Sequence, residues 1–441
     1  MAWFSRWFRR PEDDIDEPGT IVPVTVPTNA SGKRVPTLPR FRGTAADRVR
    51  SGGSRLDLAR LKLRNAFTPS RPVIDTSMFA GRTEVLRTLI RAIEDQQLHV
   101  IVFGSRGIGK TSTLHVLCSI AREARYVVHY DSCGANTTFD ELFRTILRDL
   151  PLLYHEDYDP TADQIEEGLS FADLLDDTPL SVATLSDLFS KVSGTRLLIV
   201  LDEFDRAAAP AFRRATAELI KNLSDRASRV QLLIAGVAQN LNEVIEHIPS
   251  IRRNVLGLQL PNMTDDEVDE LVTNGETVSG LQFSDDALDL IRGMVLGLPY
   301  LTSLMSQHAG LIALEDGRIN VDTGDVQRAL QQALEEIKLR IGPKPRHEVD
   351  RALADQRGGE FGLLARVALQ NGGRLTPRSV EQAASLSQSA SDYLRRLAEE
   401  YGLVTPIPDD PDRAYVFIDD GVAQYLWLQL SRSVVRPGKA G

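Results

Sequence analysis

The sequence predicts an α/β fold: a parallel sheet covered by helices on both faces, then an all-helical stretch, then a terminal module of three helices and a hairpin. Three observations carry this. Five apolar runs, "HVIVF", "YVVHY", "LLIVL", "QLLIA" and "VLGLQL", alternate with helical stretches, the pattern of buried strands joined by crossovers. From Thr264 to Gly342 the apolar spacing is helical only, with starts at "MTDDE", "FSDDA" and "VDTGD", where Asp, Ser or Thr can cap a first turn. After the polar connector "GPKPRHEVDRALADQRGG" come "EFGLLARVAL", "PRSVEQAASL" and "SASDYLRRLAEEY", then two extended runs, "GLVTPI" and "AYVFI", flanking "PDDPDR"; together these describe a winged helix.

The elements divide the 441 residues as follows: a disordered basic arm over 1–65, an α/β core over 66–262, a helical lid over 263–342, a linker over 343–359, the winged helix over 360–432 and a tail over 433–441. The arm reads as disordered because it is rich in Pro, Gly, Ser, Thr and charge with little periodicity. Between Lys33 and Arg64 it holds ten basic residues against two acidic ones, in a chain of net charge −10. Such a segment suits nucleic acid or an acidic membrane surface, or the protein's own acidic face. The start "WFSRWFRR" reads as a frayed or partner-binding tail. Val85, Leu86, Leu89, Ile90 and Ile93 then mark an amphipathic helix. The acidic stretch near 151–180 interrupts the strand rhythm as an insertion.

Cys118 and Cys133 lack metal-ligand spacing and read as core residues in a reducing compartment, and "PEDDIDEP" after the first ten residues is no secretory apolar region. No run reaches the ~18 apolar residues of a spanning helix. The expected location is the cytoplasm.

The chemistry starts at "FGSRGIGKTS". Gly104, Gly109, Lys110 and Thr111 match the G-x-x-x-x-G-K-[ST] spacing between a strand and the helical run "TSTLHVLCSIAREA". In that context the whole stretch Gly104, Ser105, Arg106, Gly107, Ile108, Gly109, Lys110, Thr111 and Ser112 is a phosphate-binding loop. Backbone N–H groups and a helix N-terminus take the phosphates, Lys110 reaches the terminal ones, and the Thr111 hydroxyl ligates Mg²⁺. The run "LLIVLDEFD" puts Asp202 and Glu203 at the tip of a buried strand, where a carboxylate is expensive unless it faces a cation. Asp202 suits Mg²⁺ coordination and Glu203 suits activation of water; Asp205 reads as a cap or a partner of Arg206. Gln239 and Asn240 either orient the attacking water or cap a loop. Arg252 and Arg253 either reach a neighbouring subunit's γ-phosphate or make surface salt bridges.

With these pieces in place the sequence resembles the AAA+ superfamily, in the branch around the Orc/Cdc6 initiators, the STAND signalling ATPases and archaeal-type ATPases. The resemblance runs from Phe79 to the end, about four fifths of the chain, and rests on "FAGR", the phosphate loop, "LDEFD", "GVAQN", "SIRRN", the "GLP" of Gly297 to Pro299 and the winged helix. It implies a P-loop NTPase fold and makes Phe79, Gly81, Arg82 and Pro299 candidate adenine-side residues. The helix after "GLP" offers His308 where many members carry a sensor arginine, which favours a slow STAND-like switch over a rapid motor.

The expectation is a Mg-dependent ATPase, binding ATP and ADP, whose nucleotide state controls homo-oligomer assembly or docking of an unidentified protein partner. The alternative is an Orc/Cdc6- or transposition-type ATPase that loads on DNA through the basic arm or the winged helix. Residues 360 to 430 hold six arginines, no lysine and ten acids. Phosphate neutralisation dominates DNA affinity, so this composition favours protein docking for the module.

Overall fold

The computed structural model describes residues 55–158, 161, 168–207, 209–238, 249–383, 389–408 and 410–435. The part of the basic arm ahead of Arg55, together with Gln239 and Asn240, lies outside these residues. The five predicted strands form one sheet: β1 (His99–Phe103), β2 (Val127–Ser132), β3 (Leu197–Asp202), β4 (Val230–Gly236) and β5 (Val255–Gln259). Their order is β2-β3-β4-β1-β5 and every pairing is parallel.

Every residue of β1, β3 and β4 is buried, because helices cover both faces and successive side chains point to opposite sides. Ile101, Ile199, Leu201, Leu232 and Ile234 enter one core, completed by Phe143, Phe189 and Leu219. These come from helices α4 (Phe139–Asp149), α5 (Val182–Ser190) and α6 (Pro210–Asp225). Val100, Val102, Val200 and Leu233 face the other core, shared with α2 (Thr83–Glu94) and α3 (Lys110–Glu123). The acidic insertion is anchored where it is described: Pro151 bridges Ser170, and Phe171 is fully buried.

The helical region holds α7 (Asp265–Ser279), α8 (Asp285–Val295), α9 (Pro299–Glu315) and α10 (Thr323–Arg340). Thr264, Ser284 and Asp322 cap three of them through their side chains, so the helix starts read from "MTDDE", "FSDDA" and "VDTGD" are where the orphan N–H groups are satisfied.

Two boundaries shift. The disordered arm was expected to reach residue 65, but α1 (Arg55–Ala66) is a helix against α7 and α9. Leu63 and Phe67 are fully buried, Gln307 donates to the Phe67 carbonyl at 2.7 Å, and Phe67 meets Phe283 edge-on at 6.1 Å. Apolar burial outweighs the basic composition, whose charges Arg55, Lys62 and Arg64 stay exposed. The connector expected over 343–359 is likewise α11 (Pro343–Ala354), entered through Pro343 in the first turn, where its missing N–H costs nothing.

The terminal module contains α12 (Gly358–Gln370), α13 (Pro377–Ala383) and α14 (Ala390–Tyr401). A three-stranded antiparallel sheet joins Arg374–Leu375, Val404–Pro406 and Tyr415–Phe417. A further helix, α15 (Asp420–Val435), packs on α12 and α10, and Trp427 donates to the Met294 carbonyl at 2.7 Å. Among the described residues no helix is long and apolar enough to cross a membrane.

Because α1 completes the core of the helical region, Leu63→Ala should destabilise the protein by about 2–5 kcal/mol, the range for emptying a packed leucine site. Urea unfolding checks this; an unchanged midpoint in Leu63→Ala would detach α1 from the folded unit.

Candidate functional site

The carboxyl ends of β1, β3 and β4 converge, the place where open parallel sheets bind ligands. Gly104 follows β1, Asp202 ends β3 and Gly236 ends β4. Gly107 and Gly109 take φ of +81° and +94°, which a side chain would resist, and so let the loop curl over the start of α3. Gly109 is the N-cap residue of α3 and offers no side-chain cap, leaving the first-turn N–H groups for an anion.

Lys110 lies inside this loop, 9% exposed, donating to the Gly104 carbonyl at 2.8 Å and to that of Ser105 at 2.9 Å. Burial lowers its pKa, opposed by the fields of Asp420, Asp205 and Asp202. Ser105 and Ile108 are buried, and Arg106 is exposed at the loop's rim. Asp202, 4% exposed, accepts from Thr111 Oγ1 at 2.7 Å, from the Tyr130 hydroxyl at 2.6 Å and from the Glu203 amide at 2.8 Å. Tyr130 stacks on His115, and burial together with the bond to Asp202 raises its pKa.

Glu203 sits beside it with φ of +52°. Its carboxylate accepts from Ser132 Oγ at 3.0 Å and pairs with Arg206 at 2.6 Å. Burial works against its charge, but the bonds from Arg206 and Ser132 prevail and hold the carboxyl below the usual range. Asp205 is not the partner of Arg206: it accepts from the Val237 amide at 2.7 Å, tying β3 to the end of β4.

These donors suit a phosphorylated nucleotide with its metal. Among the described residues no group of three or more His, Cys, Asp or Glu could hold a metal alone. That matches Mg²⁺, which takes one or two protein oxygens plus phosphates and water. Thr111 and Asp202, hydrogen-bonded at 2.7 Å, are the side chains that would form the protein side of such a site.

The start of α9 packs against the loop. Pro299 stands 3.6 Å from the position a Cβ would take on Gly109, and the Tyr300 amide donates to the Gly107 carbonyl at 3.3 Å. Arg340 donates to the Tyr300 hydroxyl at 2.9 Å and pairs with Glu336, which also bonds His308 at 2.9 Å. The Val73 amide donates to Ser112 Oγ at 3.0 Å. Phe79 is half-buried just before Gly81.

One expectation meets a different placement. Arg82 does not offer its guanidinium to a base: it is buried and donates to the carbonyls of Ile108 and Pro261. Arg252 and Arg253 precede β5 and so lie at its amino end, opposite the phosphate loop; Arg253 is 3.9 Å from Asp225. Within one chain they do not join the site. Asn240 lies outside the described residues.

Sequence reasoning missed Tyr130, Ser132, Tyr300, Arg340 and above all Asp420. That carboxylate, at the start of α15, accepts from the Arg106 amide at 3.1 Å and is largely desolvated, so burial raises its pKa. Nothing local in "FIDDGV" announces a contact 314 residues away.

A model of the AAA ATPase domain matches residues 78–235. No curated protein matches the chain. Among solved structures it is similar to Cdc6p from Pyrobaculum aerophilum, at 16% identity over 85% of this chain and 99% of that one, TM-score 0.44. It is also similar to the Aeropyrum pernix ORC2 protein, at 17% over 84% and 98%, TM-score 0.45. A Walker-type ATPase of Pyrococcus abyssi is 15% identical over 81% and 98%, TM-score 0.48. The matched span contains the phosphate loop, Asp202 and Glu203, so residues 78–235 of the chain are similar to an AAA ATPase domain of the P-loop kind.

Proposed function

We propose that the protein is a Mg-dependent ATPase working as a regulatory switch, in which nucleotide and the C-terminal module contend for the phosphate loop. The observation that carries this is the Asp420 carboxylate on the Arg106 amide, beside Lys110. A carboxylate of the module takes up an amide of the loop, and a phosphate bound on that loop would repel it. ATP binding thereby frees the module for a partner or for self-assembly, and hydrolysis lets it return.

In the hydrolytic step Glu203 takes a proton from water, the water oxygen bonds to the γ-phosphorus, and the β–γ bridging bond breaks to leave ADP and phosphate. Lys110 and the loop amides hold the phosphate oxygens. Thr111 and Asp202 would hold Mg²⁺, which when bound would neutralise the developing charge. Ser132 and Arg206 restrain Glu203, which supports slow turnover. Phe79, Gly81 and Pro299 are placed on the adenine side by resemblance, and Asn240 as an orienting group; Arg252 and Arg253 serve a neighbouring copy. Two buried free cysteines support a cytoplasmic setting.

A second reading is an Orc/Cdc6- or transposition-type ATPase that loads on DNA, the kind of protein that two of the similar structures are named for. It is supported by the exposed cations Arg55, Lys62 and Arg64 of α1, which extend the basic run from Lys33. The terminal module, offered as a winged helix, supports it less. Arg374 is spent on Asp410 and Asp412, and Arg395 on Asp392.

Lys110→Ala should abolish nucleotide binding, whereas Glu203→Gln should bind ATP and lose hydrolysis. Unchanged turnover in Glu203→Gln would refute the assignment of the base. Asp420→Asn should tighten ADP and ATP binding about tenfold, as expected for removing one like charge from a desolvated site. Since the raised carboxyl is neutralised as pH falls, the gap between wild type and Asp420→Asn should shrink toward acid and widen toward neutrality. Titration with a fluorescent nucleotide reads this; equal affinities at neutral pH would remove the competition. DNA titrations at two salt concentrations, with and without residues 1–54, a deletion that leaves α1 in place, decide the second reading: tight, salt-sensitive binding would favour it, and no binding by either protein would refute it.

A further inference from the structure

Gly81 and Arg82 occupy successive left-handed conformations, with φ of +63° and +60°. Gly81 does this freely, and a Cβ there would come within 2.6 Å of the Glu267 side chain. For an arginine the conformation is strained, and such strain persists where surrounding bonds over-determine it. Three sets of bonds do so. The Arg82 amide donates to Glu267 at 2.6 Å and the Gly81 amide to Glu270 at 3.0 Å, both acceptors on the lid helix α7. The Arg82 guanidinium donates to the Ile108 carbonyl at 3.0 Å and to that of Pro261 just beyond β5. Glu267 also closes the capping box of α7, accepting from the Thr264 amide at 2.9 Å.

The bond to Ile108 acts on the phosphate loop itself. In a trans peptide the C=O of one residue and the N–H of the next point in opposite directions from one plane. Holding the Ile108 carbonyl outward on a guanidinium therefore turns the Gly109 N–H inward, into the concavity that the loop amides line. Arg82 is 4% exposed, and burial lowers its pKa to about 10 against the favourable field of Glu267. A buried cation spent wholly on carbonyls is a costly way to brace a loop, unless the direction of that peptide matters.

We propose that Arg82 is a positioning residue of the nucleotide site: its guanidinium fixes the peptide between Ile108 and Gly109 for phosphate binding, and Glu267 links that setting to the lid. This rests on the reading of the loop as an ATP site. Arg82→Lys keeps a cation but loses the planar fork that reaches two carbonyls at once. The affinity for a fluorescent ATP analogue should fall about tenfold or more, while turnover at saturating ATP changes less than threefold. Glu267→Ala should weaken binding more than Thr264→Ala, which removes the cap alone, and this pair serves if Arg82→Lys does not fold. Wild-type affinity in a folded Arg82→Lys, or equal effects in the Glu267→Ala and Thr264→Ala proteins, would reduce Arg82 to a structural brace. Hydrogen exchange in nucleotide-free protein separates the two readings: Arg82→Lys should speed exchange at Gly109 and at the start of α7 while β3 and β4 stay protected. Should wild type bind no nucleotide, the ATP reading fails, and this exchange pattern alone decides whether Arg82 sets the loop.

Discussion

The site is organised by one desolvated charge. The Lys110 ammonium is taken out of water with two carbonyls of its own loop as hydrogen-bond partners, and carbonyl dipoles compensate a buried cation only in part. What remains is a field that draws anions into the concavity beneath Gly107 and Gly109. Asp202, Asp205 and Asp420 all act on it, Asp420 most strongly. The first two are already committed, Asp202 to Thr111 and Tyr130 and Asp205 to the end of β4. Asp420 is the carboxylate that, on the proposed reading, a nucleotide phosphate would replace, since it offers more charge and would meet several amides at once.

Much of this was legible in the sequence because local physics demanded it. A strand buried on both faces has to be apolar throughout, so "HVIVF", "LLIVL" and "QLLIA" stand out wherever they occur. A loop whose N–H groups converge needs glycine at positive φ, which makes "GSRGIGKT" readable before any fold is known. Helix caps in the lid are likewise decided within four residues. Composition misled where it was allowed to override spacing: Leu56, Ala59 and Leu63 recur at helical intervals inside a basic segment, and Pro343 is a helix-start signal inside a polar one.

What was not legible depends on pairs distant in the chain. The partners of Arg82 lie 26, 179 and 185 residues away, and that of Asp420 lies 314 away. Neither the residue type nor its neighbours encodes such a partner. Arg82 was given to adenine by resemblance alone, and only its hydrogen bonds reassign it. The acidity of the terminal module also has a local reason that counting could not supply. The Asp410 side chain, at 1% exposure, pairs with Arg374 and accepts from the Asp412 and Ala414 amides, closing the turn between two strands, while Arg366 lies over the Trp427 ring. Charge there is used inside the module before it is offered to a partner.

Two routes therefore lead from the outer parts of the molecule to the same loop, one electrostatic through Asp420 and one mechanical through Glu267 and Arg82. They are not independent. Asp420 begins α15, which packs on lid helix α10 and reaches the end of α8 through Trp427, while Asn262 donates to carbonyls of both Leu296 and Leu369. On the proposed reading, a displacement of α7 that disturbs Arg82 would be felt at Asp420 through these same contacts. Phosphate entering the loop would in turn repel the Asp420 carboxylate, and the contacts of α15 with the helical region would carry that change toward α7, whose Glu267 holds the Arg82 amide. The electrostatic and the mechanical route would then share one end, the phosphate loop.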